Sequence, residues 1–365
     1  MRSVLNRSYR TAGTSAGGAA ALLPTADQLE RARGLAKRFP EAHLREVTLI
    51  RAPIEPAGSS LRIWLALECM QVTGSFKVRG ALLAMEALAL AAKDAPVEVI
   101  AASAGNHGIG VSLAAKVLGA KATIVVPRGA PKTKTDKIAS YGATVISAQS
   151  PGYDDAEAEA IELARSRNLP FLSPYDDVDV LTGNGASLAF EIVDQLGKVP
   201  ELVYAPIGGG GLATGLACGM RHAANESGDS GESGATVAHT PRVWGVQSEA
   251  SCAFAQSLET GVAVTTLPPA ETLAEGLEGG ISARGFERAR QVLAGAIVVT
   301  EEELARAMRF GVRELGLTLE GSAAVALAAA LSAPALPARA DIDGDLVIVL
   351  TGRNVDPDRL ARVVC

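Results

Sequence analysis

Residues 202–212 read LVYAPIGGGGL, and this stretch decides the fold class. Its first half is almost entirely apolar and suits a buried strand, whereas a helical pattern begins at Leu212. Between them lie four glycines, Gly208, Gly209, Gly210 and Gly211. A glycine backbone can wrap an anion, and the start of the next helix adds positive potential, so this turn predicts a phosphate site. The alternative, a flexible turn, carries a large entropic cost when built from four glycines.

The same alternation of strand and helix runs along the chain. Short runs rich in β-branched residues at 97–100, 123–126 and 346–350 are separated by longer alanine-rich stretches of helical composition. Strands that alternate with helices form parallel sheets covered on both faces, so the predicted fold class is α/β. Ligands of such sheets bind at the carboxyl ends of the strands, which makes the loops after strands the candidate sites.

Length and composition limit the class of protein. The 365 residues correspond to about two domains, and 48% hydrophobic with 20% charged residues is a globular composition. A net charge of −6 argues against a nucleic-acid partner. No apolar run reaches the roughly 18 residues of a transmembrane helix, so no membrane association is expected. The widely spaced cysteines indicate a reducing compartment, so we expect a cytoplasmic protein. They are Cys69, Cys218, Cys252 and Cys365.

A second candidate loop is residues 73–80, TGSFKVRG. Lys77 lies between Phe76 and Val78 and follows small residues, which is a poor setting for a solvated ammonium. Desolvation lowers the pKa of a lysine, and a neutral lysine amine can form a Schiff base. Taken alone, the motif also fits a lysine that simply begins a helix.

A third loop follows the strand predicted near 97–101 and reads SAGNHG over residues 103–108. Small residues at a strand-to-helix turn expose backbone N–H groups that suit a carboxylate. Asn106 adds a side-chain donor that tolerates a tight turn. His107 is either an acid or base or a structural histidine bonded within the turn, and the structural role is favoured.

A fourth loop, residues 351–356, follows the strand pattern at 346–350. It begins with Thr351, whose hydroxyl is a neutral hydrogen-bond partner, unlike the carboxylate that holds a pyridinium protonated. Each loop alone is a weak signal, but the four in this order indicate a single site.

Together the four loops resemble the fold-type II family of pyridoxal-phosphate enzymes, in the branch that holds threonine/serine dehydratases and serine racemase. The resemblance runs from about Leu61 to Val355. It implies an α/β fold of two open, mostly parallel twisted sheets flanked by helices, as in the tryptophan synthase β subunit. In that fold a small domain is inserted in a large one.

The resemblance also assigns roles to the loop residues. Lys77 matches the Schiff-base lysine of the S-F-K-x-R-G motif, with Phe76 beside the cofactor. Asn106 would face the phenolic oxygen of pyridoxal 5′-phosphate, and Thr351 would bond its pyridine nitrogen. The phosphate would lie on Gly208, Gly209, Gly210, Gly211 and Leu212. The substrate carboxylate would be held by Ser103, Ala104, Gly105, Asn106 and His107.

The reaction implied is β-elimination from a β-hydroxy amino acid such as L-threonine or L-serine, with release of a 2-oxo acid and ammonia. The amine of Lys77 would remove the α-proton. The alternatives are a racemase or a β-replacement transferase on the same fold, and a noncatalytic phosphate-ligand binding protein. Ala104 argues against the racemase, in which a second serine is expected at this position.

Two departures from the family pattern concern the substrate. Residues 182–187, TGNGAS, and residues 48–50, TLI, differ from the usual dehydratase motifs. Both are expected to line the substrate entrance. A bulkier or modified β-hydroxy amino acid, phenylserine-like or ectoine-derived, is therefore the alternative substrate.

No metal site is expected. The family's divalent-cation ligands would fall near Gln247, Ser251 and Ala253, where Gln247 and Ala253 are not acidic, and one nearby carboxylate, Glu249, is a poor cation site. His222 and His239 are also not expected to bind a metal, because no partner Cys, His or carboxylate is expected at ligand spacing.

The chain divides into segments as follows. Residues 1–24 are expected to form a flexible N-terminal extension, and Thr25–Gln28 predicts a capping box that opens a helix. Residues 25–96 and 176–365 would form the large cofactor-binding domain, with 97–175 as the small inserted domain. Residues 225–240, rich in glycine and serine, predict a mobile surface loop. The family implies a homodimer that acts on a small-molecule amino acid.

Overall fold

The residues that the computed structural model describes form two β-sheets, one of seven strands and one of three, together with the helices that pack against them. The described residues are 7–10 for the backbone only, and 22–54, 60–93, 95–226, 241–332 and 344–364. The strands are β1 (Arg7–Arg10), β2 (Leu49–Arg51), β3 (Arg62–Ala66), β4 (Glu98–Ala102), β5 (Lys121–Val126), β6 (Thr144–Ser147), β7 (Leu202–Pro206), β8 (Arg242–Ser248), β9 (Gly295–Val299) and β10 (Asp345–Val349).

Helices fill most of the chain between the strands. They are α1 (Ala26–Ala32), α2 (Leu35–Arg38), α3 (Lys77–Ala92), α4 (Asn106–Val117), α5 (Lys132–Ser140), α6 (Tyr153–Arg167), α7 (Val178–Leu181), α8 (Ser187–Leu196), α9 (Gly211–Glu226), α10 (Ala253–Thr260), α11 (Ala283–Val292), α12 (Glu301–Glu314), α13 (Gly321–Leu331) and α14 (Pro357–Val364). Thr25 caps α1 through the predicted capping box with Gln28.

The larger sheet has the strand order β1-β9-β8-β7-β10-β3-β2. Its five central strands are parallel, and the edge strands β1 and β2 run antiparallel to their neighbours. Every residue of β7, β9 and β10 is buried, as expected for parallel strands covered by helices on both faces.

The smaller sheet contains β4, β5 and β6, all parallel, with β5 in the centre. Phe171 pairs with Ile100, so the chain returns along the free side of β4 before it enters the larger part of the protein. Two open, mostly parallel sheets flanked by helices confirm the predicted fold class.

Alanine lets helix α13 approach the larger sheet closely. Residues 323–330 are buried within this helix, and most of them contact side chains of β7, β8 and β10 in one apolar core. A second apolar core fills the opposite face of the sheet, and a third covers the smaller sheet. The apolar excess of the composition is therefore an effect of close helix packing.

The segment 182–187 does not form an entrance. Residues Thr182–Ala186 make a buried π-helical turn between α7 and α8. A Cβ on Gly183 would lie 2.7 Å from the Cα of Gly80, and a Cβ on Gly185 would lie 2.3 Å from the Leu216 nitrogen. The expectation that this stretch lines the substrate entrance is wrong, because its glycines let α3 and α9 pack against it.

Two predicted flexible segments lie mostly outside the described residues. Of residues 1–24, the structure describes 7–10, whose backbone pairs with β9, and 22–24. Of residues 225–240, only Asn225 and Glu226 are described, and they end α9. Within the described ranges, no helix has the length and apolar character needed to cross a membrane.

Candidate functional site

Three of the four predicted loops are joined directly at the carboxyl ends of strands, and the glycine turn adjoins them through residues 174–175, which contact both it and Lys77. Ser75 pairs with Gly352, and the Phe76 N–H donates to the Thr351 carbonyl at 3.1 Å. The side chains of Asn106 and Asn354 join the third loop to the fourth. Parallel strands bring loops that are far apart in sequence to one edge, as the strand pattern predicted.

Lys77 is the first residue of α3 and lies at the centre of these loops. Its Nζ donates to the Pro174 carbonyl at 3.2 Å and lies 5.2 Å from the centroid of the Phe76 ring. Desolvation lowers the pKa of Lys77 to about 8, and the charge of Glu320 opposes this shift only in part. An appreciable fraction of the amine is therefore neutral near neutral pH, as nucleophilic and base chemistry requires.

Residues 103–107 connect the end of β4 to the start of α4. The Gly105 N–H donates to the Ser103 hydroxyl at 3.0 Å, which closes the turn. An added Cβ on Gly105 would meet no atom within 4 Å, so this backbone borders open space. Ala104 offers no polar side-chain atom. The turn therefore presents the first N–H groups of a helix to a space that an anion can enter.

His107 has the structural environment that the sequence favoured. Its Nε2 lies 2.9 Å from the Leu172 carbonyl oxygen, so Nε2 carries the proton, and the buried Nδ1 has no hydrogen-bond partner. Desolvation and the charge of Lys77 lower the pKa of His107 to about 3. The imidazole is neutral at physiological pH, and its one N–H is bonded to the Leu172 carbonyl, so His107 is not suited to act as a general acid.

The glycine turn joins β7 to α9 and is pressed against Tyr175. Gly210 has a φ of +89°, in the region that glycine adopts without strain. A Cβ on Gly209 would lie 2.7 Å from Cβ and Cγ of Tyr175. Helix α9 begins at Gly211 and continues with Leu212. This arrangement gives the exposed N–H groups and helix dipole that a phosphate needs.

The expected cation position holds neutral groups that are already bonded within the protein. The Gln247 amide donates to the Ile207 carbonyl at 3.0 Å and accepts from the Ala255 N–H at 3.1 Å. The Ser251 hydroxyl donates to the Leu277 carbonyl at 2.8 Å. These bonds pair carbonyl oxygens that would otherwise be available to a cation. The prediction that no metal binds here is therefore argued from the neutral side chains of Gln247 and Ser251 and the hydrogen bonds that they already make.

A cluster that sequence spacing missed surrounds His222. Its Nε2 lies 2.6 Å from Glu30 and 3.6 Å from Glu226, which stands four residues later on α9. Arg33 pairs with both carboxylates, at 3.1 Å to Glu30 and 2.5 Å to Glu226. The guanidinium already neutralises the charge that a metal ion would need, so this is an ionic contact between α1 and α9.

Two further residues of the site, Glu320 and Asn354, were given no role from the sequence, although Asn354 lies in the fourth candidate loop. Glu320 accepts from the Asn106 side chain at 2.8 Å, and burial raises the pKa of Glu320. Asn354 bonds to both Glu320 and Asn106. Glu320 lies in no candidate loop, and only the fold brings it to Asn106 and Asn354.

The residues fit pyridoxal phosphate. The glycine turn at the start of α9, the lysine amine of lowered pKa and the hydroxyl residue after β10 are the groups that this cofactor would need for its phosphate, its aldehyde and its ring nitrogen. A fold of this kind with a lysine-centred site defines an α/β enzyme that uses an aldehyde cofactor.

The sequence profile of the family described as "Pyridoxal-phosphate dependent enzyme" matches residues 41–352. The chain belongs to this family of enzymes, in the branch of the threonine and serine dehydratases. The match confirms the cofactor predicted from the four loops.

Individual relatives agree with this branch. The chain is 34% identical to the L-threonine ammonia-lyase of Thermotoga maritima, over 83% of this chain and 69% of the relative. It is 33% identical to the catabolic L-threonine dehydratase TdcB of Escherichia coli K12, over 82% of this chain and 85% of the relative. A solved structure, the processed form of threonine deaminase isoform 2 from Solanum lycopersicum, superposes with a TM-score of 0.80 at 26% identity, covering 100% of this chain and 98% of that one.

Proposed function

We propose that the protein catalyses the pyridoxal-phosphate-dependent dehydration and deamination of L-threonine or L-serine to a 2-oxo acid and ammonia. The observation that carries this proposal is the desolvated Lys77 amine, with its pKa lowered to about 8, at the junction of the four loops. The threonine ammonia-lyase and dehydratase names of relatives above 30% identity support the same reaction.

The proposed mechanism assigns proton transfer to Lys77. When bound, the cofactor supplies an electron sink for the pair of electrons left on the substrate α-carbon. Lys77 would hold the cofactor, and its amine, once free, would take the α-proton of the substrate. The lowered pKa favours the neutral amine, which is the form that can accept the proton.

Substrate orientation is proposed to come from backbone N–H groups. The turn from Ser103 to His107 would hold the carboxylate, with the N-terminal end of α4 adding positive potential. Ala104 has no hydroxyl and His107 stays neutral, so neither can deliver a proton to the face opposite Lys77. Elimination is therefore preferred over racemisation.

The test is a substrate panel with the purified holoenzyme. L-serine, L-threonine and bulkier β-hydroxy amino acids such as phenylserine are incubated separately, and 2-oxo acid, ammonia and D-isomer are measured together. We expect equimolar 2-oxo acid and ammonia from serine or threonine with little D-isomer. Dominant D-isomer without keto acid would establish a racemase, whereas turnover of only the bulkier substrates would correct the substrate class.

Alanine in place of Gly208 tests the phosphate position. An added Cβ would come no closer than 3.4 Å to any protein atom, so the fold should tolerate it. If the phosphate rests on this turn, the methyl group meets the ligand, and the apoenzyme should bind pyridoxal phosphate about tenfold more weakly or worse. Cofactor titration by fluorescence measures this.

Gly208→Ala is read against two controls. The thermal stability of the apoenzyme should match the wild type, and pyridoxal without its phosphate should bind both proteins equally. An unchanged phosphate-cofactor affinity would remove the glycine turn from the proposed site.

We further propose that residues 97–175 act as an inserted domain that closes over the substrate. Helix α5 of this segment contacts the rest of the protein through Lys137, which donates to the Thr73 carbonyl at 2.9 Å, and through Lys134, which lies 3.6 Å from Glu275. Such contacts across a cleft can hold a closed state that excludes water from the reaction.

A cytoplasmic homodimer is also proposed. The described cysteines are free thiols, with Cys69 and Cys218 buried, which suits a reducing compartment. Light scattering of the purified holoenzyme measures the oligomeric state directly, and a monomeric mass would overturn the dimer.

A further inference from the structure

The side chain of Asn354 connects three parts of the site. Its Nδ2 donates to the Thr73 carbonyl at 3.0 Å and to Asn106 Oδ1 at 2.6 Å, and its Oδ1 accepts from Lys137 at 3.0 Å. Its backbone N–H donates to Glu320 at 3.1 Å. The amide thus uses both donors and its acceptor.

These contacts leave Asn354 one orientation. If the amide turned over, its oxygen would face the Thr73 carbonyl and Asn106 Oδ1, and its NH₂ group would face the ammonium of Lys137. Buried groups of like polarity without partners are costly, so the observed orientation is strongly preferred. Gly74 makes room for it, because a Cβ there would lie 2.5 Å from Asn354 Oδ1.

Asn106 is in turn oriented from both ends. Its Oδ1 accepts from Asn354, and its Nδ2 donates to Glu320 at 2.8 Å. An amide nitrogen carries two hydrogens, so one N–H of Asn106 is left for a ligand. The charged groups around this cluster are Glu320, Lys77, Lys134, Lys137 and Arg353.

We propose that Asn354 is a positioning residue that sets the Asn106 amide so that its remaining N–H faces the cofactor oxygen. The proposal rests on the proposed function, which places the phenolic oxygen of the cofactor at Asn106. Glu320 holds the other end of the Asn106 side chain, and Lys137, on helix α5, holds the side chain of Asn354. The orientation of Asn106 therefore depends on residues that touch neither cofactor nor substrate.

The test compares Asn354→Asp with Asn354→Ala. The aspartate keeps the shape and the contact with Lys137 but places a carboxylate against Asn106 Oδ1 and the Thr73 carbonyl, which repels the Asn106 amide from its observed position. The alanine only removes one of the two partners that hold the Asn106 side chain. We expect kcat to fall in the order wild type, N354A, N354D, with about tenfold between the two variants and a smaller change in KM.

A merely structural role predicts that the kcat of each variant falls only in step with its thermal stability, because the aspartate also places an oxygen against the Thr73 carbonyl and Asn106 Oδ1. The kcat of both variants is therefore measured well below their melting temperatures, where a purely structural loss would leave it near the wild-type value. The visible absorption maximum of the bound cofactor should shift in N354D, since this readout senses the hydrogen bond to the phenolic oxygen and needs no turnover.

Arg353→Gln is the matched control for charge. It changes the net charge of the same loop by the same amount, and its side chain is exposed, so kcat should stay within about twofold of the wild type. Equal losses in R353Q and N354D, or a kcat of N354D at or above that of N354A, would overturn the positioning role. If instead the wild type lacked dehydratase activity while N354D still shifted the absorption maximum, the proposed function would fail and the orientation of Asn106 by Asn354 would stand.

Discussion

Lys77→Ala is expected to abolish the reaction, with a loss of about 10⁴-fold or more in kcat, because the variant lacks the amine proposed to hold the cofactor and to take the α-proton. The purified wild-type protein should be yellow from bound cofactor, and the variant should lose the absorption that the lysine link produces. Reduction with borohydride followed by peptide mass spectrometry should place the cofactor on Lys77 in the wild type alone.

Lys132→Ala serves as the control, because Lys132 is exposed on α5 and pairs only with Asp136 one turn along the helix. It should keep full colour and activity. A colourless wild type, or a coloured and active Lys77→Ala variant, would contradict the assigned chemistry.

The pH dependence of cofactor attachment follows from the same lysine. Burial lowers the pKa of Lys77 to about 8, so the neutral amine that attacks the aldehyde increases as the pH rises towards that value. The rate at which the apoenzyme takes up pyridoxal phosphate should therefore rise with a midpoint near pH 8 and level off about one pH unit or more above it. A midpoint above 10, as for an exposed lysine, would show that the amine is not desolvated.

Arg79→Met is expected to destabilise the protein by about 3–5 kcal/mol, which is the cost of leaving buried charges without their partner. The Arg79 guanidinium is fully buried and pairs with Glu68 at 2.8 Å and with Glu191 at 2.7 Å. Burial alone would lower the pKa of Arg79, but the two carboxylates raise it, so the group stays charged. Methionine fills similar space but leaves two buried carboxylates uncompensated.

Urea unfolding of the apoenzyme measures this loss of free energy. Arg165→Met is the control, because Arg165 and Glu162 form an exposed pair on α6 that should contribute less than about 1 kcal/mol. An Arg79→Met variant as stable as this control would mean that the buried pairs do not support the fold. Loss of the Arg79 ion pairs should also affect the site, because Arg79 lies two residues after Lys77 and its ion pairs hold the start of α3 in place.

Much of the site was predictable because its residues stand in loops that directly follow strands. The apolar runs at 202–207 and 346–350 correspond to β7 and β10 within one or two residues, and their loops meet at the carboxyl edge. In the S-F-K motif, the glycine turn and the S-x-G-N-H turn, the residues expected to react or to bind a ligand stand next to each other in the sequence. A local pattern of this kind is readable because backbone geometry, rather than distant contacts, creates it.

Other parts of the site depend on contacts that no local pattern records. The departure at 182–187 suggested a changed substrate entrance, but its glycines serve the packing of α3 and α9. His107 could have been an acid, and only burial against Leu172 and the nearby charge of Lys77 settle its neutral state. The ionic cluster of Glu30, His222 and Arg33 joins residues about 190 positions apart, which the sequence alone does not connect.

By itself, the sequence predicted the α/β class from its alternating strand and helix patterns, and its resemblance to a known family predicted the cofactor and the role of Lys77. Only the tertiary structure decided how Lys77 and Asn106 are held. The Arg79 ion pairs and the bonds that join Asn354, Asn106 and Glu320 link residues up to 248 positions apart. Such contacts arise because parallel strands bring their carboxyl ends to one edge of the sheet. Burial at that edge then determines the charge states and the orientations of these side chains, which no single segment of the sequence specifies.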